Sequence, residues 1–379
     1  MASFGLMRMN LMVSPSRRWR LISITTAIVS KLSAVFDTWG GTVSPTLIQP
    51  GGGKRGPDLL KKGLAPSVKE STENQMNAAL TLLTALLLWP LALPHAAAQP
   101  NARLSSGEYF IKQTWSQERD FPRPYQVHVP ANPDQRKLPV LLFLHGNGGT
   151  ARGTMHGFLG QHPTMAARYV MVFPDGYLKS WNISAERSKA DDRKFIEAIV
   201  EKLAACDNVQ PDNFTIMGNS NGAALANQLA IESRLPNIRN YVTAVSPLNE
   251  LQHDGRNFKA KGDDNRYQAV ATPRTGARLM NISGTEDRLI PYQGGLSPAI
   301  PAKNGKLGFV AAEESVFLWA KAMGYQGGKL KKPTNTVGRL EVFSYLDGAI
   351  IHYKALGEGH GAAGAVDEAT LLRFLENQP

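Results

Sequence analysis

From Gln99 onward, short apolar runs alternate with longer segments whose apolar residues recur at helical spacing. That alternation is the pattern of parallel strands joined by crossover helices. A strand covered on both faces reads as a continuous apolar run, whereas the helix covering it needs only one apolar stripe. The spacing predicts strands at YQVHV (125–129), PVLLFLHG (139–146), YVMVFPDG (169–176), NFTIMG (213–218), YVTAVSPL (241–248) and RLMNISG (278–284), with two more in GRLEVFSYL and AIIHYKAL. It predicts helices at DDRKFIEAIVEKLAAC (191–206), NGAALANQLAIESRL, AEESVFLWAKAM and VDEATLLRFLEN. The expected fold class is α/β, a mostly parallel sheet with helices on both faces. No fixed-period repeat and no Pro/Gly-rich linker divides the region after residue 100, so 99–379 is expected to form one domain.

A hydrophobic fraction of 42% and a charged fraction of 19% supply a sizeable core and exclude wholesale disorder. The formal charge of +11 would suit a nucleic-acid partner if it were clustered. More than half of it, +6, lies before Met76, where ten Lys and Arg face four Asp and Glu. The remainder shows no basic stripe interleaved with aromatics and no Cys/His finger spacing, so no nucleic-acid partner is expected. The single cysteine, Cys206, excludes an intrachain disulfide and a thiolate metal cluster, and it falls late in an amphipathic helical pattern as a small structural hydrophobe.

Residues 78–93, AALTLLTALLLWPLAL, form the one long apolar run, followed by Ala96, Ala97 and Ala98 as a small-residue cleavage site. The pattern is that of a secretory signal peptide over 76–98. The run falls short of the roughly 20 residues of a spanning helix, and Pro90 and Pro94 break its far end, so no permanent membrane anchor is expected. Residues 1–75, rich in Gly, Pro, Ser and basic side chains, read as a disordered or non-native leader, with Met76 as the expected translation start. A weak Arg-containing targeting pattern at the N-terminus is the competing reading. The expected location is secreted or periplasmic.

Between NFTIMG and the next helix lies Gly218-Asn219-Ser220-Asn221-Gly222, a G-x-S-x-G pattern. A serine on a sharp strand-to-helix turn exposes its hydroxyl at the carboxyl edge of the sheet, and bulky neighbours two residues away would collide in so tight a bend. Ser220 is therefore the candidate nucleophile. The following helix also aims its N-terminal amides at the site.

On this architecture the partners follow in the order acid, then histidine. Of eight histidines, only His253, His352 and His360 come after Ser220. His253 lies early in a polar loop and His352 within a strand pattern. His360, in Gly357-Glu358-Gly359-His360-Gly361, follows the last strand and is the candidate base. Asp287, just after RLMNISG, is the candidate acid, with its neighbour Glu286 as the rival. The Asn221 amide is one candidate donor to a developing oxyanion. The second is expected from His145-Gly146-Asn147-Gly148-Gly149, with Asn147 and Gly148 both open. Tyr177, Trp181 and Tyr292 are candidate pocket walls.

The stretches PVLLFLHGNGG, FPDGYLKSWN, DDRKFIEAIVEKL, IMGNSNGAALANQLA, ISGTEDRLIPYQGG and GEGHG resemble, in the same order, the secreted polyhydroxybutyrate depolymerase and feruloyl esterase family of α/β-hydrolases. The resemblance runs from about residue 108 to the end. It implies an α/β-hydrolase fold and hydrolysis of a carboxylic ester, polymeric or small, through an acyl-serine outside the cytoplasm, without a metal or organic cofactor. Ala223 stands where the family usually has a second glycine, and Gly361-Ala362-Ala363-Gly364 replaces a frequent Trp-Pro. Polyester, feruloylated polysaccharide and small soluble ester all stay open as substrates, and the oligomeric state is open too. A serine peptidase or acyltransferase uses the same triad, and a non-catalytic binding protein of this fold is the remaining alternative.

Overall fold

In a computed structural model, residues 102–131 and 136–376 are described, all within one unit, Ala92–Pro379. The expected leader and export signal, 1–98, lie outside the described residues.

The chain enters on an antiparallel hairpin, β1 (Gly107–Trp115) and β2 (Glu118–His128), and continues through β3 (Leu138–Leu144). Helices α1 (Ala151–Gln161) and α2 (Pro163–Arg168) precede β4 (Val170–Pro174). Next come α3 (Asp192–Ala204), β5 (Val209–Asn219), α4 (Asn221–Glu232), β6 (Ile238–Ala244) and β7 (Arg278–Gly284). A separate two-stranded sheet, β8 (Gly295–Ala302) with β9 (Gly305–Phe309), is inserted before α5 (Ala312–Ala322). The chain closes with β10 (Asn335–Val337), β11 (Leu340–Tyr345), β12 (Ile350–Ala355) and α6 (Glu368–Glu376).

The main sheet has ten strands in the order β1-β2-β4-β3-β5-β6-β7-β12-β11-β10. Strands β4, β3, β5, β6, β7 and β12 run parallel, and antiparallel pairs close both edges. Side-chain alternation divides the core in two. Val140 and Leu142 of β3 pack with Phe195 and Ile199 of α3, Leu225 and Leu229 of α4, and Trp319 of α5. Leu141 between them faces Phe158 of α1 and Leu371 and Phe374 of α6 on the other side. Both faces are therefore covered, which is why β3 and β4 read as unbroken apolar runs. Each fully buried aliphatic side chain contributes about 1.5–3 kcal/mol to this packing.

Several elements carry no apolar signal. The β1–β2 hairpin is an edge with alternating exposed positions, α1 includes Gly153, Gly157 and Gly160, and β8 carries Pro298 and Pro301. Polar alternation at an edge, helix glycines and strand prolines each weaken the local pattern, so of these elements only the end of β2, within the expected strand at 125–129, is legible in the sequence. Among the described residues, no helix is long and apolar enough to cross a membrane.

Candidate active site

At the end of β5 the chain reverses into α4 through Ser220, held at φ 54° and ψ −118°. A non-glycine residue in that conformation carries about 1–3 kcal/mol of strain, and it persists only where the surroundings over-determine it. Here the Ser220 N–H donates to the Ala244 carbonyl at the end of β6 (2.9 Å). Gly222 lies so close to β3 that a Cβ on it would come 2.1 Å from the Leu144 carbonyl oxygen. The second glycine of the motif is thus the condition for packing the elbow against its neighbouring strand.

Asp287 and His360 stand on the loops after β7 and β12, which are adjacent parallel strands. The loops are joined main chain to main chain. The Thr285 N–H donates to the Ala355 carbonyl (3.0 Å) and the Glu286 N–H to the Glu358 carbonyl (2.9 Å), while the Gly357 N–H donates to Thr285 Oγ1 (2.8 Å). A Cβ at Gly284 would meet the Glu358 carbonyl oxygen at 2.2 Å, so the glycine permits this approach.

The three side chains form one hydrogen-bonded line. His360 Nδ1 lies 2.8 Å from Asp287 Oδ2, and His360 Nε2 lies 2.9 Å from Ser220 Oγ. An ionised carboxylate only accepts, so Nδ1 carries the proton and Nε2 is left to accept from the serine hydroxyl. Asp287 Oδ1 accepts from the amides of Leu289 (2.8 Å) and Ile290 (2.9 Å). Burial opposes the Asp287 charge, but the His360 contact and these amides outweigh it and hold the carboxyl below its ordinary pKa. Glu286, the rival acid, points outward as an exposed side chain. His253 is buried with its ring against Phe258. His352 is fully buried between Tyr292 and Asn281, and burial pushes its pKa down to about 3.

The loop after β3 passes beside the nucleophile, since a Cβ built on Gly146 would lie 3.6 Å from Ser220 Cβ. Of the two amides left open there, Gly148 is spent. Its N–H donates to the Lys179 carbonyl at 2.8 Å, which corrects the expectation that it would face an oxyanion. The Gly149 N–H likewise donates to the Gly146 carbonyl (3.0 Å). Asn147 supplies the remaining candidate amide on this arm. Asn221, as the first residue of α4, has an amide with no partner inside its own helix.

The three expected pocket walls are placed otherwise. Trp181 is fully buried, and Tyr292 is 5% exposed with its hydroxyl bonded to Glu313 and His352. Tyr177 donates its hydroxyl to Glu118 and packs its ring edge-on against Trp115 and Phe121. These contacts turn all three into packing residues, because aromatic rings here complete the core and the hairpin edge. A polar cavity of about 590 Å³, lined among others by Trp115, Asn182, Arg193, Lys261 and Asn265, includes none of the three triad side chains.

Sequence reasoning named Asn221, Trp181 and His145 without their side-chain contacts and did not single out Glu186. The Asn221 carboxamide accepts from the Trp181 N–H (2.7 Å) and donates to the Trp181 carbonyl (3.1 Å) and to Glu186 Oε1 (3.2 Å). Glu186 in turn accepts from the Ile183 and Ser184 amides, and burial raises its pKa. Trp181 Nε1–H donates to the His145 carbonyl (2.8 Å), and the His145 ring lies over the Trp181 ring with 4.8 Å between centroids. The only signal available was the lone Trp in a polar stretch.

No family model matches the chain. Over 120 residues it is 33% identical to NocK of Nocardia uniformis subsp. tsuyamanensis, a protein whose description names it a candidate esterase; the match covers 29% of this chain and 34% of that one. Over 200 residues it is 23% identical to feruloyl esterase B of Piromyces equi, covering 51% of this chain and 34% of the relative. The chain thus spans about a third of the length of these curated relatives. Among solved structures it is similar to acetyl xylan esterase from Aspergillus awamori, at 13% identity and a TM-score of 0.46, over 67% of this chain and 93% of that one. With its mostly parallel sheet covered on both faces and the strained serine turn at the carboxyl end of a central strand, the chain has the α/β-hydrolase fold.

Proposed function

We propose that this protein is a serine esterase that hydrolyses carboxylic esters through an acyl-serine intermediate. The observation that carries the reading is the unbroken line from Asp287 through His360 to Ser220, at 2.8 and 2.9 Å. In the first step His360 Nε2 takes the Ser220 proton as Oγ attacks the ester carbonyl carbon. The carbonyl oxygen becomes an oxyanion facing the Asn221 and Asn147 amides. Collapse breaks the bond to the alcohol oxygen, which receives the proton from the imidazolium. Water then attacks the acyl-serine, giving its proton to His360, and Ser220 leaves with that proton as the acid departs. Asp287 keeps the imidazole in the one tautomer that can accept from serine.

The substrate is a polyhydroxybutyrate-like polyester or a feruloyl-type ester, and the similarity to a protein named feruloyl esterase B supports the second member of this pair. Export beyond the cytoplasm is part of the same proposal and rests on the apolar run 78–93 followed by Ala96-Ala97-Ala98. Ser220→Ala should abolish turnover of p-nitrophenyl acetate and labelling by a fluorophosphonate. Near-normal turnover by that variant would refute the assignment. Screening the purified protein on methyl ferulate, butyrate esters and polyhydroxybutyrate film selects the substrate.

A further inference from the structure

We infer that His145 and Trp181 are positioning residues that aim the two oxyanion-binding amides, those of Asn147 and Asn221, from one buried contact; the inference rests on the esterase reading. Together with the Gly149 N–H, which also donates to the Gly146 carbonyl (3.0 Å), the His145 ring sets the first amide. Its Nε2 accepts from the Gly176 N–H (3.0 Å), so the ring proton is on Nδ1, which donates to the Gly146 carbonyl (2.7 Å). That carbonyl belongs to the same planar peptide unit as the Asn147 N–H. In a trans peptide the N–H points opposite to the C=O, so gripping the Gly146 oxygen fixes the direction of the Asn147 amide.

Trp181 sets the second amide and locks the first. Its main-chain N–H and C=O pair with both ends of the Asn221 carboxamide, a two-point contact that fixes the rotation of the first residue of α4. Its indole N–H holds the His145 carbonyl, and its ring covers the imidazole. Both groups are buried, Trp181 at 0% and His145 at 2% exposure. Burial lowers the His145 pKa, which keeps the ring neutral and in the tautomer the grip needs. One unit therefore aims both donors, although neither side chain touches the reacting atoms.

The test compares His145→Ala with His145→Asn, whose Nδ2 occupies the position of the imidazole Nδ1 and can still donate to the Gly146 carbonyl. Losing one oxyanion donor costs about 10²–10³ in kcat. His145→Ala should lose about 10²-fold in kcat with KM within about threefold, because the donors act on the transition state more than on bound substrate. His145→Asn should recover about tenfold of that loss. Binding of phenylboronic acid, whose tetrahedral adduct fills the same hole, should weaken in parallel. Asn221→Ala, at a half-buried position outside the core, removes the Trp181 grip while keeping the amide. It should lose about tenfold in kcat at constant KM, and it carries the test if a His145 variant does not fold. The inference is overturned if Asn221→Ala and His145→Ala both keep kcat within threefold of the parent, or if His145→Asn is no better than His145→Ala. A parent protein that labels with fluorophosphonate yet turns over no ester sinks the esterase reading alone, and the labelling rates of the same variants then decide the inference. A parent that does neither sinks both.

Discussion

The two sides of the candidate site are built by different means. On the acid and base side, the loops after β7 and β12 are joined by main-chain bonds between Thr285 and Ala355 and between Glu286 and Glu358, with Gly284 permitting the contact. On the oxyanion side, one main-chain bond, from the Gly148 N–H to the Lys179 carbonyl, joins the loop after β3 to the segment 176–186, and the other ties among that loop, the segment and the start of α4 run through side chains, namely His145, Trp181, Asn221 and Glu186. Main-chain bonds survive most substitutions at their own positions, whereas a side-chain tie is lost with one substitution. Apart from Asp287 and His360 themselves, the acid and base side should therefore tolerate side-chain changes and resist only those that push backbones apart. The oxyanion side should show the reverse.

Outside Ser220 and His360, the largest effect belongs to Asp287. Asp287→Asn should reduce kcat about 10⁴-fold, since an amide at that position favours the wrong histidine tautomer. The same variant tests a linkage. The Asp287 carboxyl has a depressed folded-state pKa, so its ionised form stabilises the folded protein above the unfolded-state pKa. That stabilisation is lost as pH falls through the lower folded-state value. The melting temperature of the parent should consequently drop on acidification below about pH 4 more steeply than that of Asp287→Asn. Equal slopes would show that Asp287 is not held ionised by its neighbours.

Next in size is the contrast between two substitutions on the acid and base side. Gly284→Ala drives a Cβ to within 2.2 Å of the Glu358 carbonyl oxygen, and neither backbone can yield without separating Asp287 from His360. It should destabilise the protein by about 3 kcal/mol and cut kcat about 10²-fold. Thr285→Ala removes only the hydroxyl that accepts from the Gly357 N–H. It should cost about 1 kcal/mol in denaturant unfolding and leave kcat within about threefold, because the flanking main-chain bonds remain. A loss of kcat in Thr285→Ala as large as in Asn221→Ala would erase the distinction between the two sides.

The same distinction marks what the sequence could reveal. The central strands, the Ser220 turn and the choice of Asp287 and His360 follow from patterns local in the chain: apolar runs, glycines at tight approaches, and loops after strands. The structure then brings those three residues within hydrogen-bond reach of one another. The oxyanion side depends on contacts between residues 31 to 40 positions apart, made through side chains with no periodicity to betray them. Gly148 illustrates the limit. It stands next to Asn147 in the same glycine-rich loop, and the Lys179 carbonyl, distant in sequence, is what separates an occupied amide from its neighbour. Trp181 and Tyr292 illustrate another, since an aromatic residue near a site reads alike whether its ring lines a pocket or completes the core.

The smallest expected effect sharpens the boundary of the oxyanion side. Tyr177 begins the segment that carries Trp181, yet its ring packs against Trp115 and Phe121 and its hydroxyl donates to Glu118, which ties it to the β1–β2 hairpin. Tyr177→Phe keeps the ring and deletes one hydrogen bond at a half-exposed position, so the melting temperature should stay close to that of the parent. The catalytic parameters should stay within about twofold, because the bonds of Trp181 to Asn221 and His145 do not pass through that hydroxyl. A rise in KM of tenfold or more, with kcat unchanged, would mean that Tyr177 contacts the ester directly. The oxyanion side would then extend to the hairpin edge, and the segment 176–186 would shape substrate binding as well as hold the amides.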